Sequence, residues 1–382
     1  MHFAFLPSEL IDEIVEHAED TEDIESLCLV AQRFVIPSQR CLFHTILLTT
    51  SGPACNNLHS LFTTSPHLAG YVRNFVVNLS DVGDSGSLAV VLEMLGGLKC
   101  LSLTGTYYEN TKFSWTQISP AIRSSICRAI QTSTIQTLYL DSIDGIPSAL
   151  LHYAVGAFSQ LTLICVGVSD ANLEPPLQMH DEASRLGHLT IVGSGRLLHS
   201  FMTHIDVRRA IRHLGRLNMV LDDAGWEFLG ASPFLASLEH LVLTWGFVPT
   251  ERMHHPLDLP FLPNVRKFCL DIVAFSWEEA LTFIGSFINL AERTPALESL
   301  QLILQPSIQL TGQSPTNPFP LFDTRLYAQR LPYLRHINCS MREEGSVITL
   351  DAFASYMGAK LPGPLADGIL TCGIYQPGRD AH

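Results

Sequence analysis

The side chains best suited to chemistry are thinly spread along this chain. His254 and His255 stand side by side in a proline-bearing stretch, Asp222 and Asp223 are adjacent, and nine cysteines and sixteen histidines are scattered over 382 residues. Two neighbouring imidazoles could begin a metal site. A tetrahedral site needs more ligands, however, and no cysteine or carboxylate cluster lies nearby to supply them. Asp222–Asp223 reads as a turn or helix cap rather than a general acid/base pair. No cysteine pair has metal-ligand spacing, and Cys100, Cys165 and Cys269 sit inside apolar runs, as reduced core residues do. The motifs GxSxG, GxxxxGK[ST], HExxH and CxxC are all missing from the sequence. Gly193-Ser-Gly195 lacks the third glycine of a dinucleotide loop. The expectation is therefore a protein with no catalytic residue, no metal ligand and no cofactor, which is to say not an enzyme.

The elements that would position any site are more legible. One pattern, apolar-x-x-Leu-x-Leu, keeps returning after residue 50. It runs through Val72-Phe75-Val77, Leu98-Leu101-Leu103, Ile135-Leu138-Leu140, Leu161-Ile164-Val166 and Leu186-Leu189-Ile191. It continues through Leu214-Leu217-Met219, Leu238-Leu241-Leu243, Val265-Phe268-Leu270, Leu297-Leu300-Leu302 and Leu334-Ile337-Cys339. Alternation of the last two apolar positions is the period of a strand with one buried face. Between strands, Ile122, Ile126 and Ile130 make a helical stripe, and Ser276 to Glu279 make a capping box ahead of Leu281, Ile284 and Ile288. Leu58, Leu61 and Phe62 mark a helix before the first of these strands; Phe353, Tyr356 and Met357 mark one after the last. Strand and helix at a steady period predict α/β architecture with a parallel sheet, closed as an irregular leucine-rich-repeat-like βα solenoid over 49–382. The anchors lie 24 to 37 residues apart, and the Asn or Cys that follows each strand in regular repeats is replaced by Thr106, Ile143, Gly246 and Gln305. A doubly wound domain is the competing architecture.

Residues 1–48 differ in kind. From Pro7, Leu10, Ile11, Ile14, Val15 and Ala18 recur at helical spacing. Asp20 or Thr21 can cap a second helix carrying Ile24, Leu27, Cys28 and Ala31, and Pro37 can open a third with Cys41, Leu42 and Phe43. Helices this short need packing to persist. Leu6, Pro7, Glu9, Leu10 and Ile14, then Asp23, Leu27, Leu29 and Val30, then Arg33-Phe34 and Leu42-Phe43, stand where their counterparts stand in the F-box, which this segment resembles. Phe34 replaces the commoner Trp, and Ala31 a common Cys. The resemblance implies a substrate-receptor subunit of an SCF-type ubiquitin ligase. It also implies that Leu6, Pro7, Leu10, Ile14, Leu27, Val30 and Phe34 grip the Skp adaptor and, through it, the cullin. The alternative is a repeat-type interaction scaffold with no ligase role, its N-terminal helices serving as a cap.

Composition narrows the partners. Charged residues are 16% and hydrophobic ones 47%, which favours a large core over disorder. A net charge of −14 disfavours nucleic acid and anionic membrane as partners. Nine acids between Glu9 and Glu25, with no Lys or Arg among them, read as a solvated face, so docking through this segment must rely on its apolar residues. The start of the chain lacks the basic and apolar regions of a signal peptide, and no eighteen-residue apolar run exists; cytoplasm or nucleus is expected. If the repeat leucines point inward, the residues between them face a target protein: Tyr139, His240, Lys267, Gln301 and His336. Proline-bearing loops at 174–177, 246–264 and 305–320 could add to that surface.

Overall fold

A computed structural model describes residues 6–18, 20–48, 53–80, 86–106, 112–132, 134–169, 186–231, 234, 236–246, 259–273, 290–304, 331–342 and 349–375. The chain is mixed α/β, with helices at its N-terminal end and parallel sheet beyond. It divides into two units, 1–184 and 185–382.

Nine of the ten repeats of the sequence pattern become strands in the expected phase; at Leu161-Ile164-Val166 the strand is Gln160–Ile164, with Leu161 and Leu163 inward, Ile164 outward and Val166 beyond its end. In the first unit the strands Thr45–Leu48, Asn74–Asn78, Cys100–Thr104, Thr137–Asp141 and Gln160–Ile164 lie side by side in chain order. In the second, His188–Val192, Arg216–Val220, His240–Gly246, Lys267–Val273, Ser299–Leu304, His336–Met341 and Leu370–Ile374 do the same. Every described pairing is parallel, and the register never slips. Phe75, Leu101, Leu138 and Leu161 are successive partners, as are Leu189, Leu217, Leu241, Phe268, Leu300, Ile337 and Leu370. All of these except edge-strand Leu370 are buried. A one-residue slip would turn the whole leucine row to water, which is why register is so strongly specified.

The single residue between anchor and strand has its own task. In the first unit, the carbonyls of His44, Arg73, Lys99 and Gln136 each accept two successive backbone N–H groups from the next repeat. In the second, those of Gly187, Gly215, Glu239, Arg266 and Glu298 do so, over distances of 2.7–3.2 Å. This ladder satisfies the backbone where each strand begins, so the pattern needs no particular side chain there. Just beyond the strands that end at Asp141, Ile164 and Val192 the chain turns through left-handed backbone at Ser142 (φ 55°), Cys165 (φ 51°) and Gly193 (φ 62°).

Apart from the two-residue strands Phe113–Ser114, Ile143–Asp144, Ile146–Pro147 and Val168–Ser169, the pattern misses two strands, one at each end. Thr45–Leu48 pairs with Asn74–Asn78, so the sheet begins inside the segment assigned to the helical module. The boundary expected at 48 lies at Leu42 on this reading. Leu370–Ile374 pairs with His336–Met341; Asp367 stands at the position the pattern reserves for an apolar anchor. Among the helices, Pro120–Thr132 buries Ile122, Ile126 and Ile130 as expected. Pro53–Thr64 buries Leu58 and Phe62 but leaves Leu61 exposed. Leu350–Lys360 buries Phe353 and Met357, and the Thr349 hydroxyl caps it by accepting from the Ala352 N–H at 3.3 Å. The capping box at 276–279 lies outside the described residues.

The N-terminal helices are α1 (Ser8–Glu16), α2 (Thr21–Val30) and α3 (Gln32–Leu42). Pro37 falls inside α3 rather than opening it. It forfeits one backbone bond, yet the helix runs from Gln32 because Phe34 on its first turn is 1% exposed and closes the core. That core is Ile11, Val15, Ile24 and Phe34, flanked by Leu6, Ala18, Leu27, Ala31, Cys41 and Leu42. All ten come from residues 6–42, so the three helices bury one another.

Candidate functional site

The apolar stripe of α1 is wider than two neighbouring helices can cover. Ile11, Val15 and Ala18 turn inward, whereas Leu10 and Ile14, one turn apart, are 44% and 41% exposed. Leu29 at 88%, Val30 at 52% and Ile36 at 52% add further open apolar surface on α2 and α3. Burying any of these fully would contribute roughly 1.5–3 kcal/mol. Of the residues expected to grip an adaptor, Pro7, Leu10, Ile14 and Val30 are exposed, and Leu6 and Leu27 are half-buried. Phe34 is not on the surface at all. It is the largest side chain of the helical core, and its expected surface role is corrected accordingly. Leu29 and Ile36 were not assigned from sequence. Their offset from the buried Ile24 and Phe34 on the helical period is the signal that marks them as outward.

The second candidate surface is the outward face of the sheet. In both units the inward leucines alternate with residues that fall into rows across the strands. The first row of the second unit is His188, Arg216, His240, Lys267, Ser299 and His336, each the register partner of the next. His240, Lys267 and His336 are thus brought onto one line, with His240 and Lys267 adjacent. Gln301 stands one row further along the strands, beside Cys269 and Asn338. Tyr139 belongs to the first unit, where its hydroxyl donates to Asp141 Oδ2 at 3.2 Å. Burial, then the Asp141 carboxylate, pushes that hydroxyl up to about 12.

Electrostatics single out the basic row. Desolvation lowers the His240 imidazole to about 4, helped by the positive charges of Arg216 and Lys267 and by His188. Burial and then Arg216 lower His188 as well. The row before it differs. Glu239, Arg266, Glu298 and Arg335 alternate in sign, and Arg266 Nη1 lies 3.8 Å from Glu298 Oε1. Sequence reading missed Arg216 and His188, although both occupy the second x of their own repeats and a column-by-column reading would have found them.

Further along the same face the sheet closes over a buried pair. Asp271 is 7% exposed and accepts from Arg342 Nη2 at 2.5 Å and Nε at 3.4 Å. Arg342 in turn lies over the Tyr375 ring, 5.0 Å from its centroid. Desolvation raises the Asp271 carboxyl against the opposing pull of Arg342. This pair ties one strand to the segment following another two places away. Its burial and full engagement suit structure better than turnover.

No arrangement for catalysis or metal binding emerges among the described residues: no three of His, Cys, Asp and Glu converge. Asp222 Oδ1 accepts from the Gly225 N–H at 2.7 Å, the helix cap read from sequence. His254, His255, Thr106's counterpart Gln305, and the loops at 174–177, 247–258 and 305–320 lie outside the described residues. Thr106 itself carries a hydroxyl ladder, its N–H donating to Ser80 Oγ at 2.7 Å. No helix among the described residues is long and apolar enough to cross a membrane. No protein-family model matches the chain, and no curated protein matches it either.

Proposed function

We propose that this chain is a substrate-receptor subunit of an SCF-type ubiquitin ligase, with residues 6–42 as an F-box that docks on the Skp adaptor and the repeat region as a solenoid that holds the target protein. One observation carries this reading. The three helices complete a core among themselves and still leave Leu10, Ile14 and Val30 open to water. Surface apolar side chains at regular helical spacing are how helical modules dock, and affinity in such interfaces concentrates in a few anchors, each costing about 2 kcal/mol or more on truncation. The nine acids between Glu9 and Glu25 keep that module soluble while it is unoccupied.

A Leu10→Ala/Ile14→Ala/Val30→Ala variant, tested for co-purification with the Skp adaptor, is expected to lose the adaptor while keeping its circular dichroism and unfolding midpoint. Full retention of the adaptor by the folded triple variant refutes the reading. One feature favours a second reading, in which the helices cap a repeat-type scaffold. The ladder of doubly accepting carbonyls begins at His44, two residues after α3, and Arg40 sits over the Tyr71 ring at 5.9 Å. Removing residues 1–42 separates the two. A docking module leaves a folded array behind, whereas a cap's loss exposes the first repeat and unfolds it.

A further inference from the structure

The last two strands of the second unit bring two cysteines face to face. Cys339 on His336–Met341 is the register partner of Cys372 on Leu370–Ile374, and both stand in the inward phase, between the pairs Ile337–Leu370 and Met341–Ile374. We infer that Cys339 and Cys372 form a redox modification site, at which a peroxide converts the two thiols to a disulfide that staples the terminal strand of the array to its neighbour. The inference goes beyond the receptor reading and does not rest on it.

Three observations support it. First, the pairing is selective. Cys100 faces Asn74 and Thr137, Cys269 faces Val242 and Gln301, and Cys165 lies beyond the end of its strand. Among the described pairings, no other two cysteines share a register position. Second, the backbone places the two thiols within reach. Neighbouring strands lie about 4.8 Å apart, inside the roughly 4.4–6.8 Å span between the Cα atoms of a disulfide. Register-paired Cβ atoms start at about the strand spacing and must close to about 4 Å, an approach of under roughly 1 Å. Leu370–Ile374 ends the sheet with a strand neighbour on one side, so it can move in by that amount. The thiols already interact, because Cys372 adds to the upward push that burial gives Cys339.

Third, the two differ in access. Cys339 is buried, whereas Cys372 is half-buried at the sheet edge, where a Cβ added at neighbouring Gly373 would meet nothing within 4 Å. A small oxidant therefore reaches Cys372 first. Its thiolate attacks one oxygen of hydrogen peroxide, the O–O bond breaks, and a sulfenic acid and water form. The Cys339 sulfur then attacks the sulfenic sulfur, breaking its S–O bond, forming the S–S bond and releasing a second water. Both thiol protons end in water; the two sulfurs are oxidised as one peroxide is reduced to two waters. Burial raises both thiols above the usual cysteine value, so the reaction is slow at neutral pH and needs oxidant in excess. The staple falls on the repeat with least support. Leu370 is half-buried and Ile374 is exposed in a phase that is buried on the strand beside it, and ends of repeat arrays open first.

The test treats the full chain with hydrogen peroxide, blocks remaining thiols with iodoacetamide and maps the peptides. One linked pair is expected, Cys339 with Cys372, with two hydrogens lost from the intact monomer and full reversal by dithiothreitol. Hydrogen exchange at the Tyr375 amide, which donates to the Met341 carbonyl at 2.8 Å, should slow about tenfold on oxidation. Cys372→Ser should abolish the link and the slowing, whereas Cys165→Ser should leave both in place. In guanidinium chloride, where register is lost, oxidation should scatter over the nine cysteines. Cys339 and Cys372 recovered separately, alkylated or as sulfinic acids, after the other cysteines have reacted overturns the inference. So does a link between two copies of the chain, or one that forms equally well in the denaturant. The wild-type map decides the link by itself, so a Cys372→Ser variant that fails to fold leaves the inference open to refutation.

Discussion

The two units share an inward face and differ in their outward one. At the first outward position the first unit carries Thr45, Asn74, Cys100, Thr137 and Gln160, a neutral row in which Asn74 Nδ2 donates to Thr45 Oγ1 at 3.0 Å and Thr137 Oγ1 to Gln160 Oε1 at 3.4 Å. The second carries His188, Arg216, His240, Lys267, Ser299 and His336. The leucines one residue on are buried in both, and the doubly accepting carbonyls recur in both. The backbone and the core therefore constrain the inward residues alike. The outward ones are left to vary, and only the second unit uses that freedom to concentrate charge. Basic side chains do occur near the first unit's strand starts, but Arg73 there is spent on structure. Its Nη1 donates to the carbonyls of Gly70, Val72 and Gly97 at 2.8, 3.1 and 3.2 Å.

Inward truncations carry the largest expected effect. Leu138→Ala in the first unit and Leu241→Ala in the second should each destabilise by about 2–5 kcal/mol in chemical denaturation. A loss under about 1 kcal/mol in either would break the claim that both units are built the same way inside. Next comes a matched pair at the fifth strand position. Asp271→Ala strands the guanidinium of Arg342 and should cost about 3 kcal/mol. Asp141→Ala removes only acceptors of the Tyr139 and Ser142 hydroxyls and should cost about 1 kcal/mol. A double-mutant cycle on Asp271 and Arg342 would sharpen the contrast.

The pH dependences follow in size. His240 binds its proton less readily folded than unfolded, so the unfolded state holds more protons between about 4 and 6.5. Stability is therefore complete above pH 6.5 and lost as pH falls towards 4. His240→Gln should flatten that limb, while substituting Gln160, its first-row counterpart, should not. Asp271 acts with the opposite sign: its raised carboxyl makes stability fall as pH rises through the interval between the ordinary and the raised value. The smallest effect belongs to Lys267→Gln. This exposed change should alter stability by no more than about 0.5 kcal/mol, yet it should move the His240 resonance titration upward by removing a neighbouring positive charge.

Much of the fold was legible because burial leaves a period in the sequence. Nine of the ten occurrences of apolar-x-x-Leu-x-Leu are strands in the expected phase, since alternation is what a half-buried strand must show; Leu161-Ile164-Val166 is three residues out of phase, because Leu161 and Leu163 are the inward pair of Gln160–Ile164 and Phe158 is its anchor. Of the two long strands outside that series, Thr45–Leu48 keeps an intact period, Phe43-Ile46-Leu48, that adjoins a helical stripe, whereas at Leu370–Ile374 a polar Asp367 replaces the anchor. The site was less legible. Alternation alone points to His240, Lys267 and His336, and equally to Tyr139 and Gln301, which occupy a different row. Nothing in strand period ranks one outward residue above another. That ranking depends on which residues of distant repeats become neighbours.

The same division holds at the N-terminal helices. Helical spacing marks Leu10, Ile11, Ile14 and Val15 as apolar stripe residues, while Phe34 enters only through the F-box resemblance, and hydrophobicity is a property the chain carries in its order. Which of them faces a neighbouring helix and which faces water depends on how wide a stripe the packed helices can cover. Here Ile11, Val15 and Phe34 lie inside, and Leu10 and Ile14 outside. Order along the chain thus dictated the strands, their inward leucines and the absence of catalytic motifs. Tertiary structure alone decided that Arg216, His240 and Lys267 stand shoulder to shoulder, because register between strands, not distance in sequence, determines which charges share a field.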